Sequence, residues 1–392
     1  MDLKQLKGLR VGLFTSGGLS GTAVAAWLAA NDVDVTCYVA DIGQQAPLSP
    51  DEVAGHLSRQ GLKTRTVDLR SEMADMALDL VTYQATYEGG YWNTTGAARA
   101  VLVAGLGPVL REEGCDILAH GCVGGGNDQS RFARYAARFT PDLAVFTPWT
   151  ASWMLERFPT RASMSTYLKE LGYPEELTDW ADYSIDGNLA GCSHESDLLE
   201  DLGNPPASVA PLMTVWPQAG AAEPETFTVR FEGGRPVAMD GVGVSPLDAV
   251  QKANALGARH GISLRTVVEN RVNGTKCRGV YEAPGLDVLS PCLDALYHAC
   301  LDKPSSQLFR RLSTELGTAV YEGRFHDAYG RAAASGVDLL AAGVSGTVEA
   351  TLYRGTIQVT RLFDLVEAPG TARQTRFTHG GHHWITQSVR AA

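Results

Sequence analysis

The segment that most constrains this chain is Arg10–Ala30, RVGLFTSGGLSGTAVAAWLAA. A β-rich run over 10–15 stops at Ser16-Gly17-Gly18, and an Ala-rich helix is expected over 20–30. A strand that turns through glycine directly into a helix is the opening unit of a parallel, doubly wound sheet. The same glycines let successive backbone N–H groups face inward beside a helix N-terminus, an arrangement suited to phosphate or pyrophosphate. A plain strand-to-helix turn is the alternative, and two further hydroxyls, Ser20 and Thr22, and a third glycine within the seven residues 16–22 weigh against it. No GK[ST] closes the loop, so it is not a Walker A motif, and it is not a GxGxxG dinucleotide turn.

Short apolar runs at 34–40, 64–69, 116–120 and 143–147 alternate with helical segments such as 71–87 and 96–113, which extends the α/β pattern. Around 170–225 the texture shifts to Gly, Pro, Asn and acidic residues, including GNPPASVAP. Hairpins are expected beyond it, across Gly233-Gly234 and across Arg354-Gly355. Ser245-Pro246 with Asp248 reads as a helix start, and 304–345 as a helical stretch packed on the body or on another subunit. The expected domains are 1–170, with a parallel sheet, 171–365, of α+β type with a helical extension, and a tail over 366–392.

The 392 residues suffice for two or three domains with real cores. The net charge of −11, with no Lys/Arg block, lacks the electrostatic footprint of a nucleic-acid or anionic-membrane binder. The N-terminal residues show no signal-peptide pattern and no run of 18 apolar residues follows, so a cytoplasmic location is expected. Seven cysteines (37, 115, 122, 192, 277, 292 and 300) form an odd set without a CxxC pair. That argues against a disulfide framework or a zinc ribbon and for buried thiols.

Three further segments are candidates for chemistry. His120–Phe132 (HGCVGGGNDQSRF) is a glycine-rich loop running into Asn, Asp, Gln and Arg, as expected for a ligand loop at a strand's carboxyl end, a solvated turn being the alternative. Val268–Arg271 with Lys276–Glu282 mixes charge, amide and phenol beside apolar residues, and also fits a salt-bridged strand pair. Asp182–Ser193 is an acidic loop of low intrinsic specificity. His379-Gly380-Gly381-His382-His383 has metal-like spacing but no acidic or cysteine ligand nearby, and reads as a solvated or subunit-contact tail.

The Ser-Gly-Gly opening resembles the PP-motif of the N-type ATP pyrophosphatases. In order along the chain, SGGLSGT (16–22), ADIGQ (40–44), YWNTTGAARA (91–100), HGCVGGGNDQSRFA (120–133), SIDGNLAGCS (184–193) and VENRVNGTKCRGVYEAP (268–284) resemble the argininosuccinate synthase family's SGGLDTS, ANIGQ, YLLGTSLARP, HGATGKGNDQVRFE, SMDENLMHIS and VENRFIGMKSRGIYETP. The resemblance implies a PP-loop nucleotide-binding domain, a synthetase and multimerisation domain, and a homotetramer. It implies ATP and Mg²⁺, adenylation of the ureido oxygen of citrulline, and displacement of AMP by the amine of aspartate.

Carried over residue by residue, nucleotide contacts fall on Thr15, Ser16, Gly17, Gly18, Leu19, Ser20, Thr22, Ala40, Asp41 and Gly121. Contacts to the two amino acids fall on Tyr91, Thr95, Gly96, Val123, Asn127, Asp128, Arg131, Ser184, Ser193, Glu269 and Tyr281. Asp128, Asn127 and Ser16 are the implied catalytic residues, with Asp128 expected to orient the attacking amine.

Departures from the family pattern cluster around the second substrate and the PP-loop. Gly96 replaces a serine, Val123 a threonine and Gly125 a lysine, while Ser20-Gly21 replace Asp-Thr. Asp41 replaces an asparagine, and is expected to compensate for the lost PP-loop carboxylate at a Mg²⁺ site. Three other readings stay open: a specialised ligase using a different amine, a non-catalytic relative that binds citrulline or ATP, and an RNA sulfur transferase using Cys122.

Overall fold

A computed structural model describes residues 1–123, 126–179 and 183–366. The 124–125 pair, residues 180–182 and the tail with His379, His382 and His383 lie outside the described residues.

Five parallel strands, β1 (Arg10–Phe14), β2 (Asp34–Asp41), β3 (Lys63–Asp68), β4 (Ile117–His120) and β5 (Ala144–Phe146), form a sheet in the order β3-β2-β1-β4-β5. The chain winds outward from β1 to β3, then returns to the other side of β1. The switch point therefore lies between β1 and β4, where ligand crevices form at the carboxyl ends of such sheets.

Antiparallel strands follow. β6 (Tyr183–Asn188) and β7 (Gly191–Ser196) join β11 (Leu264–Asn270) and β12 (Lys276–Glu282) in the order β11-β12-β7-β6. A second sheet, in the order β10-β9-β8-β13-β14, contains β8 (Glu225–Glu232), β9 (Arg235–Met239), β10 (Val242–Gly243), β13 (Ser345–Tyr353) and β14 (Thr356–Val366). Both expected hairpins are present, closing at Glu232↔Arg235 and Tyr353↔Thr356. Ser245 caps the Pro246–Arg259 helix in a capping box with Asp248. The 304–345 stretch is two helices, Lys303–Tyr321 and Ala328–Ala341, and the chain then returns to the sheet as β13 and β14 rather than ending in helix.

The Thr94–Glu112 helix is buried continuously from Thr94 to Val101, because it lies between the parallel sheet on one side and β6 and β7 on the other. A helix enclosed this way needs small residues, and Gly96, Ala97, Ala98 and Ala100 supply them. The largest core extends from Phe14, Leu69 and Leu118 through Leu293 and Leu296 to Val348 and Leu352, so the two halves share one apolar interior. A second core, with Val24, Leu28, Leu57, Phe146 and Trp149, covers the opposite face of the parallel sheet.

Candidate active site

Two loops meet at the switch point. Beyond β1, Gly17 takes φ +81°, and a side chain there would press within 2.7 Å of Val53. The Gly17 N–H donates to Thr15 Oγ1 (3.2 Å), and Thr22 Oγ1 donates back to the Gly17 carbonyl (3.3 Å). Thr15 and Thr22 thus shape the loop from within. Gly18 begins the Leu19–Ala30 helix with no side chain capping its N–H groups, while Ser16 stays exposed. Uncapped N–H groups at the head of a twelve-residue helix form an anion-binding end.

Gly21 explains one departure from the family pattern. A Cβ at Gly21 would lie 2.6 Å from Thr15 Oγ1, and one at Gly121 would lie 2.5 Å from the Gly21 Cα. The PP-loop and the loop after β4 therefore touch through two glycines.

Asp41, at the end of β2, accepts from the Gly43 N–H (2.9 Å) and pairs with Arg70 (3.4 Å). Arg70 is held more closely by Asp68 (2.6 Å), and Asp41 is free to take a Mg²⁺ ion only where Arg70 gives way.

After β4, His120 stacks on Phe132 at 4.5 Å, and its Nδ1 accepts from the Cys122 N–H. Burial lowers the imidazole pKa to about 4, so it is neutral at pH 7 with its proton on Nε2. Burial likewise pushes the Cys122 thiol up to about 12, which removes the thiolate that a sulfur-transfer reading needs. The described structure places six of the seven cysteines in the interior, with Cys122 partly covered.

Asp128 lies between two guanidinium groups, accepting from Arg99 Nη2 (2.8 Å) and Arg131 Nη1 (3.0 Å). Burial alone would raise its pKa, but the two positive charges outweigh that and hold the carboxyl well below the usual range. A carboxylate this weakly basic positions groups and does not remove protons. Arg99 also binds Asp186, which completes a partly buried chain of alternating charge, Asp186–Arg99–Asp128–Arg131.

Arg131 connects this chain to a pocket of tyrosines. Its Nε donates to the Tyr321 carbonyl (2.8 Å), its Nη2 to Asn93 Oδ1 (3.2 Å), and its guanidinium lies 5.0 Å from the Tyr321 ring centre. Tyr91 stacks on Tyr281 and Tyr87 on Tyr321, both at 3.8 Å between ring centres. Tyr321 OH donates to Glu269 Oε1 (2.8 Å) and accepts from Asn127 Nδ2 (2.9 Å), while Asn127 Oδ1 accepts from the Val272 N–H (2.9 Å).

Glu269 Oε2 and Tyr281 OH are buried without a hydrogen-bond partner among the described residues. Burial raises the Glu269 pKa to about 7. A desolvated carboxylate edge walled by aromatic rings is a site for an ammonium or for ureido N–H groups.

The structure thus brings together Tyr91, Asn127, Asp128, Arg131, Glu269 and Tyr281. Thr95 and Ser193 touch each other at 3.3 Å beside them, and Gly96 lies one residue beyond Thr95, under Asn93. Ser184 is exposed near the start of β6, in register with Glu195. Val123 is 52% exposed, so the loop offers an apolar methyl pair where the family pattern has a hydroxyl.

Sequence reasoning missed Arg99, Asp186, Asn93 and Tyr321. Arg99 and Asp186 stood inside quoted motifs, each as a single charge in an otherwise small or apolar run. Tyr321 carried no local signal, because its partner Arg131 is 190 residues away.

Residues 10–174 match the Arginosuccinate synthase N-terminal HUP domain, and residues 183–362 match the Arginosuccinate synthase C-terminal domain. The chain belongs to the argininosuccinate synthase family. The chloroplastic argininosuccinate synthase of Arabidopsis thaliana is 34% identical over 90% of this chain and 71% of its own length. The argininosuccinate synthases of Pseudoalteromonas atlantica and Shewanella amazonensis are each 34% identical, covering 92% and 88% of this chain and 87% and 85% of theirs. A solved chain from Methanocaldococcus jannaschii, titled a subunit of tRNA methyltransferase, reaches only a TM-score of 0.27 at 16% identity, over 43% of this chain and 91% of that one. As a member of the argininosuccinate synthase family the protein is a ligase. Among the described residues no helix is long and apolar enough to cross a membrane.

Proposed function

We propose that the protein is an ATP-dependent C–N ligase that adenylates the ureido oxygen of citrulline or a close ureido amino acid, then couples that carbon to an amine. In the first step the ureido oxygen attacks the α-phosphorus of ATP and pyrophosphate leaves. In the second the amine attacks the ureido carbon and AMP departs with the former ureido oxygen. The observation that carries the reading is the buried Glu269 edge beside Tyr91, Tyr281 and Arg131, a cluster with an unpaired carboxylate oxygen on one side and a guanidinium on the other. Such a pocket suits a zwitterionic amino acid: Arg131 takes the α-carboxylate, while Glu269 takes the ammonium or ureido N–H groups.

The PP-loop helix end receives the phosphates, and the work of the site is positioning and charge stabilisation rather than proton removal. Mg²⁺ accompanies ATP in this reading and is assigned no residue. The domain division at about residue 170 and a homotetrameric assembly belong to the same proposal, the latter to be checked by light scattering.

A second reading concerns the amine. Exposed Val123 cannot hydrogen-bond a carboxylate, which favours a nucleophile other than aspartate. Mass spectrometry of products formed from ATP, Mg²⁺ and citrulline, first with aspartate and then with a panel of amines, tests both readings. Argininosuccinate formed at about 1 per second or faster supports aspartate. An adduct with only another amine supports the specialised ligase, and no ATP consumption with any pair rejects catalysis on citrulline.

A further inference from the structure

Asn93 precedes the Thr94–Glu112 helix in a left-handed conformation (φ +49°), and its Oδ1 accepts from two donors, the Gly96 N–H and Arg131 Nη2, each at 3.2 Å. Two converging donors fix which end of the amide is oxygen. The side chain is 1% exposed, yet its Nδ2 has no hydrogen-bond partner among the described residues. A buried amide donor left unpaired is unfavourable unless something else accepts from it.

The position of this donor is set by Gly96. A Cβ added there would meet the Asn93 Nδ2 closer than 3.0 Å and the Asn93 Cγ at 2.9 Å. The family pattern YLLGTSLARP has leucine at 93 and serine at 96, whereas this chain has asparagine and glycine. The two substitutions are therefore one exchange: the amide of residue 93 takes the volume that a side chain at residue 96 would fill.

We propose that Asn93 is a substrate-binding residue of the first amino-acid pocket, its free Nδ2 donating to the α-carboxylate that Arg131 also holds. The proposal rests on the reading of that substrate as a ureido amino acid. An amide and a guanidinium sharing one edge offer two donor directions to a planar carboxylate, whose charge strengthens both bonds, and a group without an acceptor at that place, such as an ammonium, would gain nothing from the amide.

Calorimetric titration of L-citrulline, and of the ureido amine lacking its carboxylate, tests the proposal on the whole protein. Asn93→Asp keeps the acceptor that caps the helix and loses the donor. Gly96→Ser adds no charge and displaces the amide, so it gives the same test without altered electrostatics and stands in if the first variant does not fold. Each is expected to weaken citrulline by about tenfold to hundredfold and leave the ureido amine within about twofold. N93L combined with G96S restores the family pair and is expected to recover most of the citrulline affinity. Unchanged citrulline binding in both single variants, or an equal loss for both ligands, overturns the assignment while the substrate reading stands. Failure of the unmodified protein to bind citrulline overturns both.

Discussion

Arg99 is the residue on which the charge balance of the site turns. Its guanidinium is the shared partner of Asp128 and Asp186 and is 10% exposed at the side chain. Arg99→Ala leaves two partly buried carboxylates facing each other, and the expected loss is roughly 3–5 kcal/mol of stability. Thermal unfolding checks this, and a melting temperature within a degree of the parent would contradict it. Glu269 gives a pH signature. Its pKa, raised from 4.5 to about 7 by burial, means the folded chain holds a proton that the unfolded chain has released. The associated stability is present below about pH 4.5 and is lost as pH rises towards 7. E269Q is therefore expected to flatten the fall in melting temperature between pH 5 and 7. A positively charged partner needs the ionised form, so citrulline affinity in the parent should rise over the same range and E269Q should abolish that rise.

The PP-loop and its helix act as one element whose geometry depends on glycine at 21. G21A forces Thr15 Oγ1 aside, and with it the hydroxyl that accepts from the Gly17 N–H. The expectation is a five- to fiftyfold rise in the ATP Kd, about 1–2 kcal/mol, with little change in citrulline affinity. Equal weakening of both ligands would mean that the helix, not the loop, had moved. Elements of this kind were legible in the sequence because short-range signals specify them: glycines ended the first strand, Ser245 with Asp248 marked a capping box, and Gly233-Gly234 and Arg354-Gly355 marked turns. The 304–345 stretch was read as helical without its break at 322–327, while the hairpin that follows it was marked by Arg354-Gly355. Its apolar spacing reports a buried face, while the turn between its helices is set by contacts such as Arg134 with the Glu322 carbonyl, which no local pattern encodes.

At the scale of the whole molecule, the resemblance named Tyr91, Asn127, Asp128, Arg131, Glu269 and Tyr281, which the fold brings together, but not how they hold one another. Asn93, Arg99 and Tyr321 act through partners 38, 29 and 190 residues away, and only the folded chain brings them together. Glu282 shows the same principle outside the pocket: its carboxylate accepts from the N–H groups of Leu212, Met213 and Thr214 and contacts His194 at 2.6 Å. With Cys192 it makes a buried trio of metal-ligating types, but its oxygens are already saturated, so the trio ties the 212–214 segment to β12. E282A should lower the melting temperature by several degrees, through three orphaned N–H groups, without altering the ligand specificity of the site. A changed preference among amines in that variant would contradict a purely structural role. The most direct test of the whole account is to supply citrulline labelled with oxygen-18 at the ureido oxygen, together with ATP, Mg²⁺ and the amine that supports turnover, and to weigh the nucleotide product. Adenylation of the ureido oxygen predicts AMP carrying one labelled oxygen for each adduct formed. Unlabelled AMP, or ADP with phosphate, would contradict adenylation of the ureido oxygen at this site.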